Sequence, residues 1–376
     1  MEFRDLKKQY EANKHNIDRA VFDAIAEARF IEGRQVTELE KTLAGYVGVR
    51  HCITCANGTD ALQLALMAWG ISKGDAVFVP DFTFFSSGEV VSAVNAAPVF
   101  VDVDEKTFNI DPDKLEIAIR EVLKRGIHKP RAVIAVDLFG QPADYGRIRE
   151  IADRYGLLVL EDGAQGFGGR IGSRRACSFG DISTTSFFPA KPLGCYGDGG
   201  AIFTDNDEWN ELLRSYKVHG KGLSKYDNVR IGMNSRLDTI QAAVLLAKFP
   251  VFIGTELEAC DKLAEYYTEQ LADIVTTPVI KENFFSSWAQ YTIKLKDKNE
   301  RDVLQKYLKE NDIPSMIYYQ KAMHSQMAFE NNNDYALDHS VTEELCKTVL
   351  SLPFHSYMTE SDAERVVSCI KNYFGE

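Results

Sequence analysis

Three features of the chain predict an α/β fold with a second, smaller unit. Short apolar runs alternate with helical patterns of about ten residues, which is how βαβ units and a mostly parallel sheet read. Small and acidic residues recur where those runs end, and the pattern changes near residue 256. A large α/β domain is therefore expected over residues 1–255 and a smaller C-terminal α+β domain over 256–376. A length of 376 residues suits that division better than one small domain. The apolar fraction of 45% is enough to build a sizeable core.

Taken in order, residues 14–29 repeat apolar positions at helical spacing (Ile17, Val21, Ile25, Ala28), and residues 37–47 do so again after a break at Gly33. His51–Cys55 reads as a strand, followed by a small-residue turn at Asn57, Gly58 and Thr59 and a helix over 61–69. Free N–H groups and the positive end of that helix suit an anion at Gly58 and Thr59. The same turn also reads as an ordinary N-cap by Asn57 or Thr59. Strands follow at 77–80, 98–103, 132–138 and 157–162, with helices at 112–124 and Tyr145–Tyr155. Ligands of such sheets bind at carboxyl strand ends. Gly58, the aromatic cluster at 82–85 and Asp162 all fall there. Asp162 can reach a cofactor from that position or simply cap a helix.

Beyond these lie a helix at Asp207–Tyr216, a polar loop at 219–228, an apolar helix at 239–249 and an amphipathic helix at 256–271 that leaves the large domain. The smaller domain is expected to hold strands at 288–295 and 314–319 and helices at 301–311, 342–350 and 361–374. Residues 331–334 read as a loop, and no internal repeat is evident.

The most unusual stretch is 184–200, which places Lys191 between Phe187-Phe188 and four glycines. Pro189 and Pro192 deny the backbone around Lys191 both helix and central strand. A lysine desolvated beside those rings has a lowered pKa and becomes nucleophilic toward a carbonyl, as a Schiff base requires. The alternative is a solvated lysine in a glycine-rich turn.

Composition excludes other classes. Lys and Arg total 43 against 55 Asp and Glu, a formal charge of −12 with no basic block, which argues against nucleic acid or an anionic membrane surface as partner. Seven scattered cysteines are no disulfide framework, so a reduced, cytoplasmic setting is expected. Cys52 and Cys55 form a Cys-x-x-Cys without a matching second pair and read as buried thiols rather than a metal or redox site. The N-terminus lacks an apolar signal region, and no apolar run approaches the ~20 residues of a membrane span.

With these residues in order, the chain resembles the DegT/DnrJ/EryC1/StrS family of sugar aminotransferases, pyridoxal-phosphate enzymes of the aspartate-aminotransferase fold (fold type I). The resemblance runs from Phe30-Ile31-Glu32-Gly33 to Leu352-Pro353-Phe354-His355. It rests on Cys55-Ala56-Asn57-Gly58-Thr59-Asp60, Glu161-Asp162-Gly163-Ala164-Gln165 and the 184–200 stretch. The last of these, with Gly232-Met233-Asn234-Ser235-Arg236-Leu237-Asp238, is most similar to a subgroup that aminates C3 of a UDP-linked 3-keto-N-acetylglucosaminuronic acid. The resemblance implies that Lys191 is the Schiff-base lysine and proton shuttle, and that Asp162 pairs with the pyridinium nitrogen of pyridoxal 5′-phosphate. It implies phosphate contacts from Gly58, Thr59 and Ser186, with Asn234 contributed by the neighbouring subunit of a homodimer. Phe84 would stack on the ring, Gln165 would meet its phenolic oxygen, and Arg236 would lie near the sugar. L-glutamate and a nucleotide keto-sugar are the implied substrates.

Arg34 stands where the family often has proline. Tyr318, beside Tyr319, stands where the uronate subgroup tends to show histidine, and Gln320 replaces a common proline; these residues line the family's sugar pocket. A C4 aminotransferase of a UDP- or dTDP-4-keto-6-deoxy sugar is the alternative within the family, and a non-catalytic cofactor-binding regulator a further one. A pyridoxamine-dependent dehydratase would carry histidine in place of Lys191, and a nicotinamide dehydrogenase would need a G-x-G-x-x-G after an early strand.

Overall fold

Seven strands form the central sheet, in the order His51–Cys55, Gly200–Thr204, Ile182–Ser186, Leu158–Asp162, Lys129–Val136, Asp75–Pro80, Ala97–Val101. Every strand runs the same way except Gly200–Thr204, which is antiparallel to both neighbours. The protein is thus α/β with a mostly parallel sheet. This computed structural model describes residues 1–224, 226–330 and 335–375; the expected loop at 331–334 lies outside them.

Both faces of the sheet are covered, so its strands are largely buried on both sides. In the strand Asp75–Pro80, Val77 and Val79 enter one core while Ala76 and Phe78 enter the opposite one, as the two-residue period requires. The flanking helices start and stop where local chemistry dictates. Pro112–Arg125 begins with proline in its first turn behind an Asp111 cap and ends at Gly126 with φ 65°. Tyr145–Tyr155 is capped by Asp144 and stops at Gly156.

Several elements differ from expectation. The first helix starts at Leu6 rather than near 14, with Asp5 accepting from the Lys8 N–H at 2.8 Å. Its inner face includes Gln9 and Asn13, which donate to Glu256 (3.2 Å) and to the Tyr357 hydroxyl (2.7 Å), so apolar spacing could not reveal those turns. A helix at Ser86–Ala93 and the strands Ile182–Ser186 and Gly200–Thr204 were not foreseen; the first of these strands is mostly hydroxyl residues.

The two helices expected at 239–249 and 256–271 are one. Thr239–Val251 passes through a π-helical turn, Phe252–Glu256, into Leu257–Leu271. Pro250 lacks an N–H and crowds the turn before it, and the widened turn follows directly. The resulting 33-residue helix is, among the described residues, long and apolar enough by composition to cross a membrane, which corrects the expectation of no such run. Its first half packs Ala242, Leu245 and Phe249 into the core beside the sheet, and its second half packs Tyr267 and Leu271 into the C-terminal core. It crosses residues 255–256 without a break.

In the C-terminal part, Tyr291–Lys294 pairs antiparallel with Val349–Leu352. The helix expected to reach 350 is Ser340–Thr348, and the following buried run is strand; a short apolar run fits either state by pattern alone. Residues 314–319 form no strand, only one bridge from Met316 to Ser351.

Candidate active site

A cleft of about 970 Å³ opens at the carboxyl ends of the sheet strands. Its floor and walls come from Gly58 and Thr59, Thr83 to Ser86, Asp162, Gln165, and Ser186 to Lys191; Tyr318, Tyr319, Lys321 and Gln326 close it from the C-terminal part. The ends of parallel strands converge there, so residues distant in sequence become neighbours.

Asp162 is the last residue of its strand and is buried. One carboxylate oxygen accepts from the Ser87 hydroxyl at 2.8 Å, the other from the Ala164 N–H at 3.2 Å. Burial raises its pKa, opposed by these two bonds and by the charge of Lys191. A cation placed against it would be strongly favoured, because the site otherwise penalises its charge. Ser87 is itself 3.1 Å from the Thr83 hydroxyl and sits on the helix that periodicity missed.

Lys191 lies in the irregular segment beyond Ser186, as its two prolines required. Phe187 is fully buried, while Phe188 is half exposed at the cleft. Desolvation lowers the pKa of the Lys191 amine; Asp162 opposes this, and the guanidinium of Arg4 adds to it. Among the described residues the amine makes no hydrogen bond, whereas its backbone is held firmly. The Lys191 N–H donates to Phe188 O at 2.8 Å, and Arg4 donates to Lys191 O at 3.0 Å and to Ala289 O at 3.4 Å.

Arg4 was invisible to sequence reasoning, and its effect can be measured. Losing a charge-assisted bond of about 1.5–3 kcal/mol should lower turnover of Arg4→Met by about ten- to hundredfold. Removing the nearby positive charge also lets the Lys191 pKa rise. The rate at which apoprotein captures added pyridoxal phosphate, which needs the neutral amine, should then climb at higher pH than in wild type. An unshifted profile would leave Arg4 a purely structural residue.

At the other end of the cleft, Gly58–Ala68 presents its N-terminus. Asn57, not Thr59, caps it, accepting from the Asp60 N–H at 2.7 Å. The Thr59 hydroxyl is thus left at the cleft, 2.8 Å from that of Ser86. Gly58 must be glycine: a Cβ there would sit 2.8 Å from the Ser186 Cβ. Gln165 is buried, accepts from the Phe139 N–H at 2.8 Å and donates to the Tyr319 hydroxyl at 3.1 Å. Phe84 is 54% exposed at the mouth, its ring 6.5 Å from that of Tyr319.

Two expected site residues are not brought to this cleft. Asn234 is exposed and bridges to Val218, and Arg236 is half-buried without lining the cavity. Both follow an exposed arm that carries Leu223 and Ile231 at its surface.

Cys52 and Cys55 are buried and reduced, burial raising both thiols, Cys55 to about 12. The one His/Cys/acid cluster of metal-binding size among the described residues lies elsewhere, at Asp81, His324 and His339. Both Nδ1 atoms approach one oxygen of Asp81, at 2.6 and 3.1 Å, from rings 4.3 Å apart and only 22° from parallel. The cluster ties Asp81, just past the strand Asp75–Pro80, to the C-terminal wall of the cleft.

The DegT/DnrJ/EryC1/StrS aminotransferase family model matches residues 11–371. A Pseudomonas aeruginosa protein named UDP-2-acetamido-2-deoxy-3-oxo-D-glucuronate aminotransferase is 40% identical, covering 99% of this chain and 100% of its own. A pleiotropic regulatory protein of Geobacillus stearothermophilus is also 40% identical, over 98% of this chain and 97% of its own. The crystal structure of a DegT DnrJ EryC1 StrS aminotransferase from Brucella abortus superposes with a TM-score of 0.97 at 47% identity, each chain fully covered.

Proposed function

The chain belongs to the DegT/DnrJ/EryC1/StrS aminotransferase family, whose members depend on pyridoxal 5′-phosphate, and on that premise we propose its reaction. It moves an amino group from L-glutamate to C3 of UDP-2-acetamido-2-deoxy-3-keto-glucuronic acid, releasing 2-oxoglutarate. The observation that carries this reading is the meeting of Lys191 and Asp162 in one cleft, an amine whose pKa burial lowers with a carboxylate whose pKa burial raises.

The residues present fit the cofactor. Gly58, which must lack a side chain, and the hydroxyls of Thr59 and Ser186 form a cradle for its phosphate. The buried Asp162 carboxylate suits a protonated ring nitrogen, and Ser87 orients it. When bound, the cofactor supplies the electron sink that lets a proton leave the substrate carbon. The Lys191 amine would take the covalent link and move that proton, with Arg4 holding its backbone carbonyl from behind. Phe84 would cover the ring face, Gln165 would offer an N–H to its phenolic oxygen, and Tyr318 and Tyr319, which line the same cleft, would shape the sugar side.

Asn234 and Arg236 enter this reading through a homodimer, in which the arm of one protomer completes the cleft of its partner. The apolar residues exposed on that arm support it, since Leu223 and Ile231 gain by being covered. Seven free cysteines support a cytoplasmic setting.

The test is a mass-spectrometric screen of nucleotide keto-sugars with glutamate as donor. A mass change matching amination of the 3-keto uronate, with 2-oxoglutarate released, is expected. Preference for a neutral 4-keto-6-deoxy sugar would overturn the uronate assignment, with Tyr318 in the cleft wall the first residue to examine.

A further inference from the structure

Asp81, His324 and His339 take no part in the chemistry above, yet one of their atoms is left without a partner. Asp81 is fully buried, and one ligand atom from each of the three residues lies within 4.8 Å of the others. The His324 Nδ1 donates to Asp81 Oδ2 at 2.6 Å. The His339 Nδ1 comes within 3.1 Å of the same oxygen but is not aligned on it. It is shut off from water and has no hydrogen bond among the described residues. Neither tautomer of His339 cures this. An N–H there is a buried donor with its bond unmade, and a lone pair there faces the lone pairs of a carboxylate. Protonating both rings would set two cations 4.3 Å apart. Buried polar atoms are seldom left unpaired, and a bound ion is one of the few reasons for it.

A divalent ion among the three atoms removes the conflict, because it takes a lone pair from each nitrogen and neutralises the carboxylate. We propose that Asp81, His324 and His339 bind one such cation, zinc being the best match to two imidazole nitrogens and a carboxylate oxygen, with water as its fourth ligand. Asp81 Oδ1 accepts from the His324 N–H at 2.8 Å, which leaves Oδ2 to the ion. The His324 Nε2 lies 2.9 Å from the Ser325 hydroxyl, and a proton held there frees Nδ1 to ligate. Zinc bonds of about 2.0–2.1 Å at tetrahedral angles set ligand atoms about 3.3 Å apart. The 3.1 Å contact already comes near that spacing, and the 2.6 Å one opens by about 0.7 Å as the ion replaces its proton. The near-parallel rings tilt to aim both nitrogens at the ion. From there the ion governs the shape of the cleft without touching substrate. Asp81 precedes Thr83 and Phe84 on one wall, and His324 lies between Met323 and Gln326 on the other. The Met323 N–H already joins the two, donating to Asp81 O at 3.0 Å. A metal clamp at this point stiffens both walls, whichever sugar is aminated.

The test uses cofactor-loaded protein freed of metal by EDTA, titrated with zinc by calorimetry and with cobalt by visible absorption. One zinc per chain should bind, and the Tm should rise with free zinc. Cobalt should give the d–d bands of a four-coordinate site and no thiolate charge-transfer band, which Cys52 and Cys55 would produce. His339→Phe keeps the ring volume and removes the ligand. It should weaken zinc binding by more than about a hundredfold, beyond the range for supporting residues, and abolish the Tm rise. Its metal-free Tm should be no lower than that of wild type, because the unpaired nitrogen is gone. Ser325→Ala should weaken binding about tenfold, as loss of a supporting hydrogen bond does. The glutamate half-reaction of metal-free His339→Phe should match that of metal-free wild type. No zinc bound by wild type, zinc bound equally by His339→Phe, thiolate ligation of cobalt, or a slowed half-reaction overturns the site. So does a metal-free Tm that falls on His339→Phe, since Asp81 alone would then satisfy the nitrogen.

Discussion

Lys191→Ala should lower transamination by about 10⁴-fold while the protein still takes up pyridoxal phosphate, since Gly58, Thr59 and Ser186 are untouched. In wild type, borohydride should fix the cofactor to the peptide bearing Lys191; label on another lysine would defeat the assignment. The same residue should show a cost in stability. Its amine is removed from water and given no hydrogen bond among the described residues, and its pKa is lowered accordingly. The unfolded chain holds a proton on this lysine up to about pH 10.4, whereas the folded protein releases it at lower pH. The unfolded state therefore binds more protons in that interval, and stability contributed at this position rises with pH. Lys191→Met should raise the Tm of the cofactor-free protein near neutral pH, and its advantage should shrink as pH approaches 10. A Tm that falls on substitution would show that the lysine is held by contacts rather than tolerated for its chemistry.

Asp162→Asn should reduce turnover by about 10²- to 10³-fold with the fold preserved. The amide keeps the size of the carboxylate and can still accept from Ser87 or Ala164. What it loses is the negative charge, the single feature of this side chain that favours a protonated ring nitrogen. Stopped-flow absorbance of the glutamate half-reaction reports that loss directly, and circular dichroism checks the fold. Near-normal rates in a well-folded Asp162→Asn protein would reduce Asp162 to a residue that merely orders the turn at Ala164. Ser87→Ala, which removes one hydrogen bond and leaves the charge, should fall between the two.

Much of the site could be read from the chain because a parallel sheet gathers its strand ends at one edge. Gly58 and Asp162 each follow a recognisable apolar run, and the prolines and glycines around Lys191 forbid regular structure there. What could not be read came from contacts with no local pattern. Arg4, Ser87 and Lys321 join the site through packing of segments far apart in sequence, and an exposed lysine carries no periodic signal. The helices expected at 239–249 and 256–271 join through the π-helical turn that follows Pro250. Residues 314–319 had the composition of a strand and found only one backbone partner, so they became the wall of the cleft instead.

The position of Arg4 also sets an order in time. Its two acceptors, Lys191 and Ala289, lie 187 and 285 residues further along the chain. A segment made before both of its partners must wait, unsatisfied, until the lysine loop and the Ala289 segment exist and have come together. The sheet can assemble from neighbouring βαβ units well before that moment. Catalytic competence therefore arrives last, when the opening residues of the chain fold back behind Lys191, and newly made protein should gain its sheet before it gains its activity.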